Sequence, residues 1–153
     1  MAAHTASASF TDTTYAISAS LPATYDSSGY GATTITYTTI GSVETFPAFG
    51  SQRQVYNFEP INGNVEYHKG TEAYGGGEMV MADIPANAGQ VILKAAEASA
   101  NHYSMKITYP DGEIHYLDVI VTSWTLSPQG SNQVMRRSAN VQLCRAPVVV
   151  AAP

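Results

Sequence analysis

Four histidines are the side chains of this sequence best suited to bind a metal ion or to act as acid–base catalysts: His4, His68, His102 and His115. None lies at the spacing of a zinc motif. If Asp111 and Gly112 form a hairpin turn, His102 and His115 share a face of the strand pair. A strand rises about 3.3 Å per residue, so these two side chains stand too far apart along the ladder to bind one zinc ion. We therefore interpret the histidines as solvated strand residues, and we predict no metal site and no cofactor.

The other reactive side chains also lack the neighbours that catalysis requires. Cys144 is the only cysteine and lies in an alternating apolar stretch, which is typical of a packed thiol. The glycines 75–77 are not followed by the Lys-Ser/Thr pair of a phosphate-binding loop, so we interpret them as a flexible hinge. Asp118 follows an apolar alternation and could lie on a buried or interface face. We identify no catalytic residue and predict that the protein is not an enzyme.

The composition favours a β-rich domain with extensive surface contacts. Charged residues make up 12% of the 153 residues and tyrosine occurs 10 times, whereas about a quarter of an average domain is charged. The net charge of −5 argues against a surface that binds nucleic-acid phosphates. Residues 1–9 lack the pattern of a signal peptide, and no stretch is long enough to cross a bilayer, so we expect cytoplasmic synthesis and no membrane partner.

Strand and turn signals alternate along most of the chain. Residues 33–38 are rich in Thr, Ile and Tyr, Asn62-Gly63 predicts a tight turn, and residues 134–144 predict the last long strand. Around Asp111-Gly112 we expect a two-residue loop, which would place Tyr109 opposite Ile114 and Ile107 opposite Tyr116. The fold class that follows is mainly β, a sandwich or small barrel with one packed α-helix.

The packed helix is predicted at about residues 87–100. Asn87 can cap it, and Gln90, three residues later, completes a capping box. Helical spacing joins an apolar stripe that we expect to face the sheet: Ala88, Val91, Ile92, Ala95 and Ser99. The opposite, polar face would carry Gln90, Lys94 and Glu97.

Three segments have no evident partner within the domain. We divide the chain into an N-terminal arm at 1–32, a β-sandwich or barrel domain at 33–145 with a long loop at about 47–77, and a C-terminal tail at 146–153. Long segments without internal structure are usually functional or disordered. We assign contacts between subunits to large apolar side chains, most of them in these segments: Phe10, Tyr15, Phe46, Phe49, Tyr56, Phe58, Tyr74, Val148 and Val149.

Several segments, in this order, match a known pattern: 21–50 (LPATYDSSGYGATTITYTTIGSVETFPAFG), 68–71 (HKGT), 88–96 (AGQVILKAA), 109–112 (YPDG), 121–126 (VTSWTL) and 134–143. The combination resembles the tail tube proteins, or major tail proteins, of long-tailed bacteriophages, the siphophages. The likeness covers roughly residues 21–143. One departure is Asn87, where the family more often has an acidic residue, and asparagine caps a helix equally well.

The resemblance implies a structural role. Six subunits would form a ring, rings would stack into a tube, and strands of neighbouring subunits would join into one inner barrel with the helix outside. The long loop and the terminal arms would bridge rings. The implied partners are the tape-measure protein, the tail terminator and baseplate proteins, and DNA that passes through the lumen without specific binding. The implied location is the virion tail, assembled in the cytoplasm of the host bacterium, and the fold would be shared with the tubes of contractile tails and secretion systems.

Two other classes of function stay open at this stage. A monomeric β-sandwich adhesin or carbohydrate-binding module could use an aromatic platform, for which the candidates are Tyr30, Tyr37, Tyr67, Tyr74 and Trp124. A small hydrolase ranks last, with Asp118 and His115 as the side chains to test. If the tube hypothesis holds, deletion of residues 1–20 should weaken assembly more than folding.

Overall fold

The structure, a computed structural model, describes residues 9–128 and 130–152. Nine strands and two helices follow one another in the order β1 (Thr14–Ser18), α1 (Ser27–Tyr30), β2 (Thr38–Ile40), β3 (Val43–Thr45), β4 (Phe49–Phe58), β5 (Glu66–Ala82), α2 (Ala88–Ala98), β6 (Tyr103–Thr108), β7 (Ile114–Ser127), β8 (Arg136–Leu143) and β9 (Val148–Val150).

The strands form one antiparallel sheet whose two ends are adjacent in sequence. Its order is β2-β1-β6-β7-β8-β5-β3, with β4 paired to β5 and β9 paired to β7. Only Gly41 and Ser42 connect β2 at one end to β3 at the other. The sheet must therefore curl until its ends meet, and we call the junction between β2 and β3 the seam.

The core lies inside the curl and under α2. It consists of alternate strand residues and one face of the helix, and its fully buried members include Ile17, Met79, Met81, Leu93, Ala96, Met105, Leu117, Val119 and Val141. Alternation on β6, β7 and β8 produces this arrangement because successive strand residues point to opposite faces. The predicted fold class, mainly β with a packed helix, is confirmed. The short helix α1 was not predicted.

The prediction of an N-terminal arm at 1–32 is wrong for residues 9–32, the part of it that the structure describes. Strand β1 pairs with β2 on one side and with β6 on the other, and Ile17 on it is fully buried. Tyr30 on α1 is also buried. The segment is poor in apolar residues, but its pairing partners lie up to about 90 residues away in sequence, so a local pattern did not reveal it. Residues 1–8, which belong to the same prediction, lie outside the described residues.

The predicted long loop at 47–77 is instead a two-stranded extension of the sheet. Strands β4 and β5 pair from Phe49↔Gly75 to Phe58↔Glu66, and the predicted turn at Asn62-Gly63 lies between them. We call this hairpin, residues 49–75, the ribbon. The predicted tail at 146–153 likewise contains β9, which pairs with β7 from Tyr116↔Val148 to Ile114↔Val150.

The strand predicted at 33–38 begins only at Thr38, and the predicted register of the hairpin at 103–127 is wrong by one residue. Thr108 lies opposite Ile114 and Ile107 lies opposite His115. The loop is longer than two residues because the main-chain N–H of Tyr109 donates to the carbonyl of Glu113 at 2.9 Å. A slip of one residue exchanges the faces of a strand, so it also changes the neighbours of His115.

Helix α2 begins at the predicted cap but buries a different face. The side-chain oxygen of Asn87 accepts from the main-chain N–H of Gln90 at 3.1 Å, which is one half of a capping box. The side chain of Gln90 does not complete the box and is itself buried. The face toward the sheet is formed by Gly89, Gln90, Leu93 and Ala96, whereas Val91 in the predicted stripe is exposed.

Candidate assembly surfaces

The ribbon exposes large apolar side chains on both of its faces. Val55 and Tyr67 lie on one face and Tyr56 and Phe58 on the other, and each is more than half exposed. Ile61 in the turn is fully exposed. An isolated two-stranded hairpin is marginally stable in water, and a protein seldom leaves such a patch uncovered. The ribbon therefore has the character of a surface that another polypeptide covers.

Polar pairs and one ring stack hold the two strands of the ribbon together. Arg53 donates from Nη2 to Oε2 of Glu72 at 2.9 Å, and the hydroxyl of Ser51 donates to the same carboxylate. The ring of His68 stacks on Tyr56 with 5.3 Å between centroids. Cross-strand pairs of this kind contribute about 0.2–1 kcal/mol each, so they maintain the ribbon without burying its apolar side chains.

An aromatic cluster spans the seam. Tyr15 on β1 stacks on Phe46, just beyond β3, with centroids 5.1 Å apart. Phe46 meets Phe49 edge-on at 5.8 Å, and Phe49 meets His115 at 5.7 Å. These rings, with Phe10 and other neighbours, line an open cavity of about 610 Å³. The cluster joins the two ends of the sheet through side chains where no strand pairing is described between them.

His115 lines this cavity and has two polar neighbours. Its Nε2 lies 2.8 Å from Oε1 of Glu113, and its Nδ1 lies 3.4 Å from the hydroxyl of Tyr109. Burial, with the nearby Tyr15 and Glu113, raises the pKa of Tyr109 to about 12. The prediction of solvated histidines is thus wrong for His115, which is largely buried. His4 lies outside the described residues.

A buried carboxylate holds the segment that leads into β9. Asp118 is 1% exposed, and its side chain accepts from Nε of Arg145 at 3.1 Å and lies 3.1 Å from Nδ1 of His102. The guanidinium carbon of Arg145 lies 3.7 Å from the ring centroid of Tyr25. The sequence suggested a buried Asp118, and the structure shows that its partners come from the loops before β6 and after β8.

Asp118, His102 and Arg145 have a structural explanation rather than a catalytic one. Every polar side chain of the group is engaged by another, and Cys144 beside it donates its main-chain N–H to the carbonyl of Asp118 at 2.8 Å. Burial and the charge of Asp118 raise the pKa of the Cys144 thiol, which makes it a poorer nucleophile. Within residues 9–128 and 130–152, no group of three His, Cys, Asp or Glu side chains could hold a metal ion. No described helix is long and apolar enough to cross a membrane.

The nine side chains predicted to make subunit contacts fall into separate places. Phe10, Tyr15, Phe46 and Phe49 meet at the seam cavity, whereas Tyr56 and Phe58 lie on the ribbon. Tyr74 is half-buried against the core at the base of the ribbon. Val148 and Val149 lie on β9, with Val149 exposed.

Sequence reasoning missed other exposed apolar residues. On the ribbon these are Val55, Ile61, Val65 and Tyr67, and elsewhere they include Ile84, Val91, Leu126, Val134 and Met135. The main-chain N–H of Asp83 donates to the carbonyl of Met135 at 2.9 Å, so Ile84 and Val134 each lie one residue from a paired main-chain group. Residues 55–58 and 65–67 carry apolar and aromatic residues on both faces at once, which is the signal that could have marked the ribbon as apolar on two sides.

No family model matches the sequence, and no curated protein matches it. The fold is nevertheless similar to that of solved tail and injection-system proteins. A chain of the anti-feeding prophage baseplate superposes with a TM-score of 0.65 at 9% identity, over 97% of this chain and 97% of that one. The SPP1 tail tube superposes with a TM-score of 0.63 at 14% identity, over 92% and 77%. A chain of the tail of the gene transfer agent particle gives 0.57 at 12% identity, over 89% and 95%. The chain thus has the mainly β fold found in tail tube proteins.

Proposed function

We propose that this chain is the structural subunit of a bacteriophage tail tube of the siphophage type, in which hexameric rings stack into a conduit for DNA. The observation that carries the proposal is the ribbon, whose two faces expose apolar side chains that its own domain leaves uncovered. Low charge and abundant tyrosine suit extensive permanent contacts. The similar folds of the SPP1 tail tube and the gene transfer agent tail add support.

The open strand edges indicate how subunits would join. Strand β4 pairs only with β5 among the described strands, and β5 pairs with β8 only from Gly76 onward. Both long edges of the ribbon thus present unpaired main-chain groups, which are a template for pairing with another chain. Ribbons that pair edge to edge with strands of neighbouring subunits would join the subunits of a ring, and their apolar faces would be covered by subunits of the adjacent ring. A heterologous contact that closes by rotation produces a ring of this type.

The remaining partners follow from the same role. The tube would enclose a tape-measure protein during assembly, end at tail terminator and baseplate proteins, and form part of the virion tail after assembly in the bacterial cytoplasm. The net charge of −5 suits a lumen along which DNA slides without binding. Under this proposal the protein carries no catalytic activity.

The adhesin hypothesis loses the aromatic platform on which it depended. Tyr30 is 1% exposed and stacks on Tyr116 at 5.3 Å, and the hydroxyl of Tyr37 donates to the carbonyl of Tyr30 at 3.0 Å. Trp124 is covered by the guanidinium of Arg137, 5.2 Å from its ring centroid. These side chains act as packing and cannot form one flat binding face.

Electron microscopy of the purified protein tests the proposal. We expect rings or tubes, with sixfold symmetry in end views. The double variant Val55→Ser and Tyr67→Ser should remove them while leaving the subunit folded, because both side chains are exposed on the ribbon. The matched control is Val91→Ser, an apolar residue on α2 that is 54% exposed, which should still assemble. A parent protein that stays monomeric over a wide range of concentration, or tubes that persist in the double variant, would contradict the proposal.

A further inference from the structure

The strand pairing of the ribbon changes at one level, where the ribbon leaves the body of the sheet. The pairing of β4 with β5 shifts register between Phe49↔Gly75 and Gln52↔Ala73. The support that β5 receives from β8 ends at the adjacent pair, Gly76↔Gln142. A second register shift lies farther out, between Arg53↔Glu72 and Val55↔Lys69, but only the first one coincides with the end of the β8 pairing. The ladder is therefore least supported along this line, and a two-stranded ribbon can bend as a unit only if both strands yield at one level.

Glycines lie on this line in both strands, in conformations that other residues rarely adopt. Gly50 on β4 has a φ of 144°, and Gly75, Gly76 and Gly77 on β5 have φ of 93°, 155° and 152°. No atom lies within 4 Å of where a Cβ on Gly50 would be, whereas a Cβ on Gly76 would lie 2.6 Å from the carbonyl oxygen of Val141. Position 50 thus requires glycine because of its backbone conformation alone. Position 76 requires glycine because of its conformation and also because a Cβ would have no room there.

Two side-chain contacts hold the angle between ribbon and body. The side-chain amide of Gln142 on β8 donates to the carbonyl of Gly75 at 2.7 Å. Tyr74, next to that glycine, is half-buried against the core. Beyond them, residues 51–59 of the ribbon are exposed. A segment with so few packed contacts opens at low free energy, so its direction depends on this small set of restraints.

We propose that Gly50 and Gly75 form a hinge beside Gly76 and Gly77, which stay paired with β8, and that the ribbon swings about this hinge as one body when it docks on a neighbouring subunit. Gln142 and Tyr74 set the resting angle and give way when the ribbon docks. The docking half of this inference rests on the proposed function, whereas the hinge is a property of the single subunit. The hinge lets one ribbon fit neighbours that approach at different angles. The ion pair between Arg53 and Glu72 lies within the ribbon and stays formed during the motion.

Distance measurements between two spin labels test the hinge. One label is attached at Asn62→Cys in the turn of the ribbon and the other at Glu97→Cys on α2, with Cys144→Ser to remove the native thiol. In the free subunit we expect a broad distribution of distances. Gly50→Ala should shift and narrow it about twofold, because alanine restricts the backbone that the hinge needs. Gln142→Ala should broaden it, and the control Gly130→Ala, at a glycine with open space where a Cβ would lie, should change nothing.

The outcomes separate the hinge from the proposed function. A single narrow distance in the free parent subunit that Gln142→Ala leaves unchanged would overturn the hinge, even where Gly50→Ala fails to fold. In assembled tubes we expect one narrow distance that differs from the mean of the free subunit. Tubes that form with the free-subunit distribution retained would reject the docking motion and leave the proposed function standing. A broad distribution without any tubes would support the hinge and reject the tube.

Discussion

The side-chain amide of Gln90 donates a hydrogen bond to the main-chain carbonyl of Ala82 across 2.7 Å. The same amide nitrogen lies 3.2 Å from the carbonyl of Gly41, and its oxygen accepts from the N–H of Ile84 at 3.1 Å. One buried glutamine thus ties helix α2 to the end of β5 and to the two-residue link at the seam. Buried polar groups stabilise a fold only when their partners are present.

Gln90→Leu should therefore destabilise the subunit by about 2–4 kcal/mol, because three main-chain groups lose their partner at once. Chemical denaturation followed by circular dichroism measures the free energy of unfolding. The neighbouring exposed Lys94, changed to Leu, is the matched control and should shift it by less than about 0.5 kcal/mol. Equal effects of the two variants would contradict the role assigned to Gln90.

Gly89→Ala should disrupt the contact between α2 and β2. A Cβ at this position would lie 2.4 Å from the carbonyl oxygen of Thr39 and 2.7 Å from Cα of Ile40, so the helix would have to move away from the strand. Overpacking of this kind costs about 1–3 kcal/mol, even though alanine is the better helix former. A thermal melt shows whether the variant is less stable than the parent, with Gly130→Ala as the control. A rise in the melting temperature would show that α2 does not approach β2 so closely.

Asp118→Asn should loosen the C-terminal segment. The change removes the charge that Arg145 and His102 share, and we expect a loss of about 1–3 kcal/mol, less than for a fully buried pair because Arg145 is half exposed. Limited proteolysis should cut after Arg145 sooner than in the parent. The control is Glu97→Gln on the exposed side of α2. Unchanged cleavage in Asp118→Asn would mean that strand pairing alone holds β9.

High pH should destabilise the fold through its buried tyrosines, because burial raises the pKa of Tyr30, Tyr37 and Tyr109. The pKa of Tyr109 in the folded subunit is raised to about 12 from the ordinary tyrosine value of 10.0, so the unfolded chain releases the phenolic proton first. The stabilisation is complete below about pH 10 and is lost as the pH rises to about 12. Tyr109→Phe should flatten this part of the stability profile, measured by denaturation at several pH values. If the stability of the variant falls with pH as steeply as that of the parent, groups other than Tyr109 cause the loss of stability.

Deletion of residues 1–20 should prevent folding, in contrast to the expectation that the sequence suggested. The deletion removes β1, which lies between β2 and β6, together with the core side chain of Ile17. The far-ultraviolet circular dichroism and thermal melt of the truncated chain check this. A truncated subunit that keeps a cooperative melt near that of the parent would show that β1 is dispensable.

The sequence by itself determined the mainly β class, the cap of α2 at Asn87 and the turns at Asn62-Gly63 and Asp111-Gly112. These features depend on neighbours a few residues away, so local chemistry decides them. The alternation on β8 was also readable, because a strand with one buried face repeats every two residues. Asp118 stood out for the same reason, as a carboxylate within an apolar alternation.

Only the tertiary structure decided the register of the β6–β7 hairpin, the buried face of α2 and the place of β1 in the sheet. One hydrogen bond from Tyr109 to Glu113 lengthens the loop and moves every following pair by one residue. Gln90 turns inward because its partners, at Gly41 and Ala82, come from distant strands. The sparse apolar pattern of residues 14–18 becomes a strand inside the sheet because β6, far along the chain, pairs with it from Thr14 to Ser18 and supplies apolar neighbours.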